Sequence, residues 1–180
     1  MLSGIALLIV GGFLSYSIGN GLYQTRVTQI LAESERGVVE VQNTFSASTV
    51  TDEIALQSLL NSVVPTLESS GTSDSRKVAL LRTPAQIGAQ ILQSPISADL
   101  DTAVIPFEFK VTVRETPGKL SYQSIGLPQP DGSAHPGVVV GAPIDIPIAG
   151  KYELYLVFDL DGEQQTLDFV QNVLFWGCLL

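Results

Sequence analysis

The chain has 180 residues, of which 45% are hydrophobic and only 15% charged, with nine Lys or Arg against 18 Asp or Glu and a net charge of −9. That length allows one domain plus accessory segments. The acidic excess argues against nucleic acid and against an anionic membrane surface as partners. The single cysteine, Cys178, rules out an intrachain disulfide framework and a cysteine-based zinc site.

The apolar character is concentrated at the two ends. Residues 1–25, MLSGIALLIVGGFLSYSIGNGLYQT, carry no charge. As a helix they would reach roughly 38 Å, enough for a hydrocarbon core of about 30 Å. Neither a basic n-region nor a small-x-small cleavage site supports a signal peptide. The expectation is a first transmembrane helix over 1–25 and a juxtamembrane helix over 26–50. Val27, Leu31, Val38, Val41 and Phe45 follow a 4-3 spacing, with Ser34 at the missing step. Such a stripe packs either on its own domain or on a second copy.

The stretch STVTDEIALQSLLNSVVPTLESSG predicts a second helix, with Thr49 or Thr51 as cap and Asp52 and Glu53 at the positive end of the helix dipole. Leu56, Leu60, Val63 and Leu67 share one face, Pro65 should kink the helix, and Gly71 should end it. Lys77–Arg82 (KVALLR) is a short strand candidate, and residues 83–102 are mixed and irregular. FEFKVTVR then alternates. Phe107, Phe109, Val111 and Val113 face one way and Glu108, Lys110, Thr112 and Arg114 the other, which predicts a half-buried strand. Pro117-Gly118 supplies a turn to a partner strand at Leu120–Ile125, and residues 126–137 read as loop. Val138–Ile146 resumes as strand, interrupted by Pro143. After the turn at Gly150-Lys151, KYELYLVFDL predicts a central strand covered on both faces, because Tyr155 and Val157 are not polar. Asp161 is placed to cap a last helix, with Gln164 at the capping-box position. That helix, 163–180, enters the run FVQNVLFWGCLL, too short at about 18 Å to span; it reads as the first half of a truncated second transmembrane helix.

The expected fold is therefore α+β: about five mostly antiparallel strands with helices on one side, over residues 51–162, flanked by two transmembrane helices. This order resembles PAS-like extracytoplasmic sensor domains. No catalytic constellation emerges. His135 is the lone histidine and sits in a Pro/Gly loop, and Cys178 reads as a small apolar residue. In DLDGE, Gly162 comes too early for a calcium loop. Lys110, Arg114 and Tyr122 offer binding potential on the exposed faces without naming a ligand.

The segments SYSIGNGLYQTR (15–26), VVEVQNTFSASTVTDEIALQSLLNSVVPTLESSG (38–71), KVALLR (77–82), LQSPIS (92–97) and YLVFDLDGEQQTLDFVQNVL (155–174) together resemble the N-terminal part of MtrB-type sensor histidine kinases, from the actinobacterial MtrA–MtrB two-component system. Residues 99–150 carry the likeness least. The resemblance implies a homodimeric, multi-pass protein of the cell membrane with residues of about 26–168 outside the cytoplasm. It implies sensing of osmotic or cell-envelope conditions. The response regulator MtrA and the lipoprotein LpqB are the implied partners. ATP and Mg belong to a kinase domain beyond this chain, and no cofactor is expected within it. Gln24, Arg26, Asp161 and Gln164, at the junctions of domain and helices, are the candidate signal-coupling residues. Two rivals are a membrane-tethered binding or scaffold domain with no kinase, and the input domain of a chemoreceptor or cyclase.

Overall fold

The computed structural model describes the backbone of residues 2–50, 52–70, 76–84, 86 and 92–160, with side chains from residue 23 onward. Three helices surround one antiparallel sheet. Helix α1 (Leu2–Ala47) is followed by α2 (Glu53–Ser70), strand β1 (Arg76–Arg82), a 3-10 turn at Thr102–Val104, α3 (Phe107–Glu115), β2 (Ser121–Pro128), β3 (Ala134–Ile146) and β4 (Gly150–Asp159). The sheet order is β1-β4-β3-β2. A single antiparallel bridge, Ala79 to Ile96, adds the segment Ser94–Ser97 outside β1.

The centre of the molecule is β4, as the sequence KYELYLVFDL predicts. Every residue from Tyr152 to Phe158 is buried. Successive strand side chains alternate faces, so β4 supplies both cores. Tyr152, Leu154, Leu156 and Phe158 join Val78, Leu80, Val138, Val140 and Ile144 under α1 and α2. Tyr155 and Val157 join Ala79, Val139, Phe109 and Val113 under α3. Helices thus lie on both faces rather than on one. Burying each large apolar side chain contributes about 1.5–3 kcal/mol, so neither face folds stably without its cover.

The stripe on α1 packs on its own domain. Val27, Ile30, Val41 and Phe45 are buried, and Ser34 sits among them with no exposure. On α2 the predicted face, Leu56, Leu60, Val63 and Leu67, is buried. The cap is Asp52, whose Oδ2 accepts from the Ala55 amide at 3.1 Å, and the helix continues through Pro65. Gly71 and Thr51 lie outside the described residues.

FEFKVTVR is a helix, not a strand. Pro106 occupies the N-cap position, Glu108 the first turn and Arg114 the last, matching the helix dipole. At about 3.6 residues per turn, Phe109 and Val113 fall on one face and are buried, while Phe107 is 68% exposed. The tight seat for α3 is Gly141, where a Cβ would come within 2.6 Å of Val113 Cγ2 and 3.0 Å of Tyr155 Cε1. Two further boundaries move. Half of the expected 126–137 loop is strand, since β2 runs to Pro128 and β3 starts at Ala134. Strand β3 passes through Pro143 without a break, and Pro143 lies past Gly141, where the pairing with β2 ends.

Three glutamines use their amide groups as surrogate peptide units. Gln42 donates to the Asp145 carbonyl (2.9 Å) and accepts from its amide (3.0 Å). Gln57 does the same to Gln93, and Gln86 to Lys151. Gln42 serves the side of β3 beyond the end of its pairing with β2, and Gln86 the side of β4 beyond the end of its pairing with β1.

Among the described residues no helix is long and apolar enough to cross a membrane. The expected architecture of a sheet flanked by two transmembrane helices, and the multi-pass membrane location, are corrected on that finding. From Tyr23 onward α1 presents Gln24, Thr25, Thr28, Gln29, Glu35 and Arg36 outward, so this part of the helix faces water rather than lipid. The expected second span, 163–180, lies outside the described residues.

Substituting Gly141→Ala should lower the free energy of unfolding by about 1–3 kcal/mol, the cost of overpacking a filled core. A urea denaturation midpoint unchanged from wild type would refute this seat for α3.

Candidate functional site at the α1–β1 junction

Three widely spaced polar contacts tie α1 to strands of the sheet among the described residues. Tyr23 Oη and Ser124 Oγ, on β2, are 2.6 Å apart. Glu33 Oε1 receives Arg76 Nη1, at the start of β1, at 2.8 Å. Gln42 holds the Asp145 backbone at the far end of β3. The steps of ten and nine residues place these tethers about 15 and 14 Å apart along the helix. Between them they reach three of the four strands.

The middle tether is the unusual one. Arg76 is 4% exposed, yet it carries a full charge. Its Nη1 meets Glu33, its Nη2 donates to Ser70 Oγ at 3.2 Å at the end of α2, and its Nε is buried without a hydrogen-bond partner. Burial pushes the guanidinium below its ordinary pKa, and the carboxylates of Glu33, Glu40 and Glu68 act in the opposite sense. Beside it lies a cavity of about 440 Å³ whose wall includes Gln29, Arg36, Gly37 and Glu40. Glu68, in the last turn of α2, accepts from Ser97 Oγ, and that oxygen accepts the Val78 amide at 2.7 Å. The junction therefore joins α1, α2, β1 and the edge segment through two neighbouring sets of polar contacts, Glu33–Arg76–Ser70 and Glu68–Ser97–Val78. Ser34, one residue from Glu33, is buried with no partner for its hydroxyl. Gly37 is also at close quarters, since a Cβ there would stand 3.2 Å from Leu67 Cδ2.

A second buried ion pair lies on the other face. Glu153, 1% exposed, accepts from Arg114 Nε at 2.6 Å and from Tyr155 Oη at 2.6 Å. The hydrogen bond that Arg114 donates to Glu153 raises the pKa of Arg114. This cluster fixes α3 on β4 and leaves no unengaged nucleophile or base. It orients; it is not arranged for chemistry. Among the described residues no group of three potential metal ligands occurs.

Of the residues singled out from sequence, Gln24 is exposed and its carbonyl accepts from Thr28 Oγ1. Arg26 is half-buried and its Nη1 reaches Gln29 Oε1 at 3.3 Å. Asp161 and Gln164 lie outside the described residues. Lys110 donates to the Thr102 carbonyl, Tyr122 stands 54% exposed on β2, and His135 is half-buried on β3 opposite Leu127. The Glu33–Arg76 pair was missed because 43 residues separate its members. The Glu153 cluster had a signal. A carboxylate on a strand covered on both faces requires a cation, and Arg114 was within reach once α3 is a helix.

No protein-family model and no curated protein matches the chain.

Two predictions come from these buried groups. Tyr152 Oη is buried without a partner, whereas Tyr155 Oη is bonded to Glu153. Burial first, and for Tyr155 also the Glu153 bond, holds both phenols above the ordinary tyrosine value. A raised tyrosine pKa favours the neutral folded form, so this stability is complete below the unfolded value of about 10 and is lost as pH rises past it. Tyr155→Phe should cost about 1–2 kcal/mol at neutral pH, while Tyr152→Phe should be neutral or stabilise by up to ~1 kcal/mol. Both should flatten the alkaline loss of stability in denaturation series from pH 8 to 11. Equal costs for the two variants would show the assignment to be wrong.

Glu33→Ala should destabilise by about 3 kcal/mol because it leaves the Arg76 charge buried and uncompensated, whereas Glu33→Ala combined with Arg76→Met should recover most of that loss. A double variant no more stable than Glu33→Ala would show that the two side chains are not coupled.

Proposed function

We propose that this chain is the signal-sensing input region of a two-component sensor histidine kinase. A stimulus acting on the domain changes how α1 is seated on the sheet, and α1 carries the change to the output. The reading of class rests on the five segments that resemble MtrB-type kinases. The observation that supports the mechanism is the form of α1: one unbroken helix of 46 residues, half of which is wall of the core and held by three separated polar tethers. A ligand or partner shifts such an element only by interacting differently with its two seatings. The junction around Arg76 is where the difference is largest, because a helix displacement there exposes or re-pairs a buried charge. On this reading the stimulus is an osmotic or envelope condition. The kinase that uses ATP and Mg, and the response regulator MtrA, lie on the output side.

The test uses the full-length protein that contains this region. Gly37→Leu and Glu33→Gln should each change basal autophosphorylation several-fold, at a thermal unfolding midpoint that confirms folding. Lys77→Ala, which removes only an exposed pair with Asp99, should not. A reading frame that encodes no phosphoacceptor helix and ATP-binding domain beyond this region rejects the proposal, as does unchanged autophosphorylation in folded variants.

A further inference from the structure

The two edges of the sheet are treated differently. Along β1 the outward groups are satisfied. The Leu80 amide donates to Pro95 O and the Ser97 amide to Val78 O, at 2.9 and 2.8 Å. Ser97 Oγ and Ser94 Oγ accept from the amides of Val78 and Arg82. Strand β2, at the opposite edge, pairs with β3 over all eight of its residues. On its other side, among the described residues, no backbone hydrogen bond reaches Ser121–Pro128.

Exposed edges are ordinarily blunted by charge, by brevity or by a covering segment. Here the chain from Leu120 to Pro130 has no charged residue, and Pro128 comes only at the end of the strand. The edge is also grooved. Asp101, Val104 and Pro106 stand across from Gln123, Ile125 and Pro128 around a cavity of about 480 Å³. Asp101 is exposed there, its Oδ1 fixed by the Ala103 amide. Asp131, at the tip of the β2–β3 hairpin, is exposed as well, and its hydrogen bonds from Ser133 hold its carboxyl below the ordinary value.

We infer that the β2 edge is a docking site for an extended segment of a partner protein, which adds as a fifth main strand and carries basic side chains. The backbone edge supplies the hydrogen bonds, the groove takes alternate apolar side chains, and Asp101 and Asp131 select lysine or arginine. A second copy of this chain is a poorer occupant, since it brings its own Asp101 and Asp131 and a net charge of −9 to the same place. The site stands independently of any kinase. It also has a route to α1, through the contact of Ser124 with Tyr23.

The probe is a nine-residue peptide of alternating lysine and valine, with a glutamate–valine peptide as control, titrated into the full chain. Hydrogen exchange is read residue by residue. The lysine peptide should bind saturably and slow exchange at least tenfold at alternate amides within 121–128, leaving those of β1 unchanged. The glutamate peptide should bind at least tenfold more weakly. Asp101→Asn, which keeps the cap to Ala103, should weaken the lysine peptide several-fold without shifting the thermal midpoint. Absence of protection at 121–128, or equal binding of both peptides, overturns the inference. Protection that grows with protein concentration in the absence of peptide overturns it too, by assigning the edge to a second copy.

Discussion

The structure depends on β4 being buried on both faces. A strand with one exposed face can be served by one layer of helices, but Tyr152–Phe158 expose none. Two layers are then obligatory, and each element finds its place by what β4 demands of it. Helices α1 and α2 cover Tyr152, Leu154, Leu156 and Phe158, and α3 covers Tyr155 and Val157. The demand extends to chemistry. Glu153 is on β4, so its carboxylate is buried whatever covers it, and a buried carboxylate without a partner costs several kcal/mol. Arg114 and Tyr155 meet that need, which is why the last turn of α3 sits where it does.

How much of this could be read from the sequence follows from which patterns have a single solution. The central strand was legible because apolar residues on both alternating faces leave no other reading. The buried face of α2 was legible from its helical spacing; on α1 the spacing caught Val27, Ser34, Val41 and Phe45 but missed Ile30 and left open whether the stripe packs on its own domain or on a second copy. FEFKVTVR was not. Its apolar residues at every second position satisfy a strand, but Phe109 and Val113 alone satisfy a short helix, and the remaining two, Phe107 and Val111, can stand at the margins. What decides is tertiary. The sheet already has its four strands, the far face of β4 needs a lid, and Gly141 leaves room for Val113 there. The polar tethers were illegible altogether, since Glu33–Arg76 and Gln42–Asp145 join residues 43 and 103 positions apart. Of the residues picked as coupling points from sequence, Gln24 accepts from Thr28 and Arg26 reaches Gln29, both within α1.

The apolar and polar contacts of α1 do different work. Val27, Ile30, Val41 and Phe45 hold the helix down, at about 1.5–3 kcal/mol each. Their pattern does not fix its position uniquely. Move the helix along its axis by about one turn, four residues, and Leu31 replaces Val27, Val38 replaces Ser34, and Phe45 replaces Val41. Of the four buried apolar sites, those of Val27 and Val41 stay apolar. Three places resist: Ser34 would take the site of Ile30, Val41 that of Gly37, against Leu67, and Thr49, past the end of α1, that of Phe45.

The polar tethers resist more sharply. In the shifted register Gly37 stands where Glu33 was, and buried Arg76 loses its hydrogen-bonded carboxylate; Ser46 stands where Gln42 was, and the Asp145 backbone loses both bonds. The ion pair and the glutamine clamp therefore add to the apolar stripe in rejecting a seating in which half of its buried apolar sites would still be filled. An element with that division of labour is held by contacts that are strong but permissive and positioned by contacts that are few but exact in register.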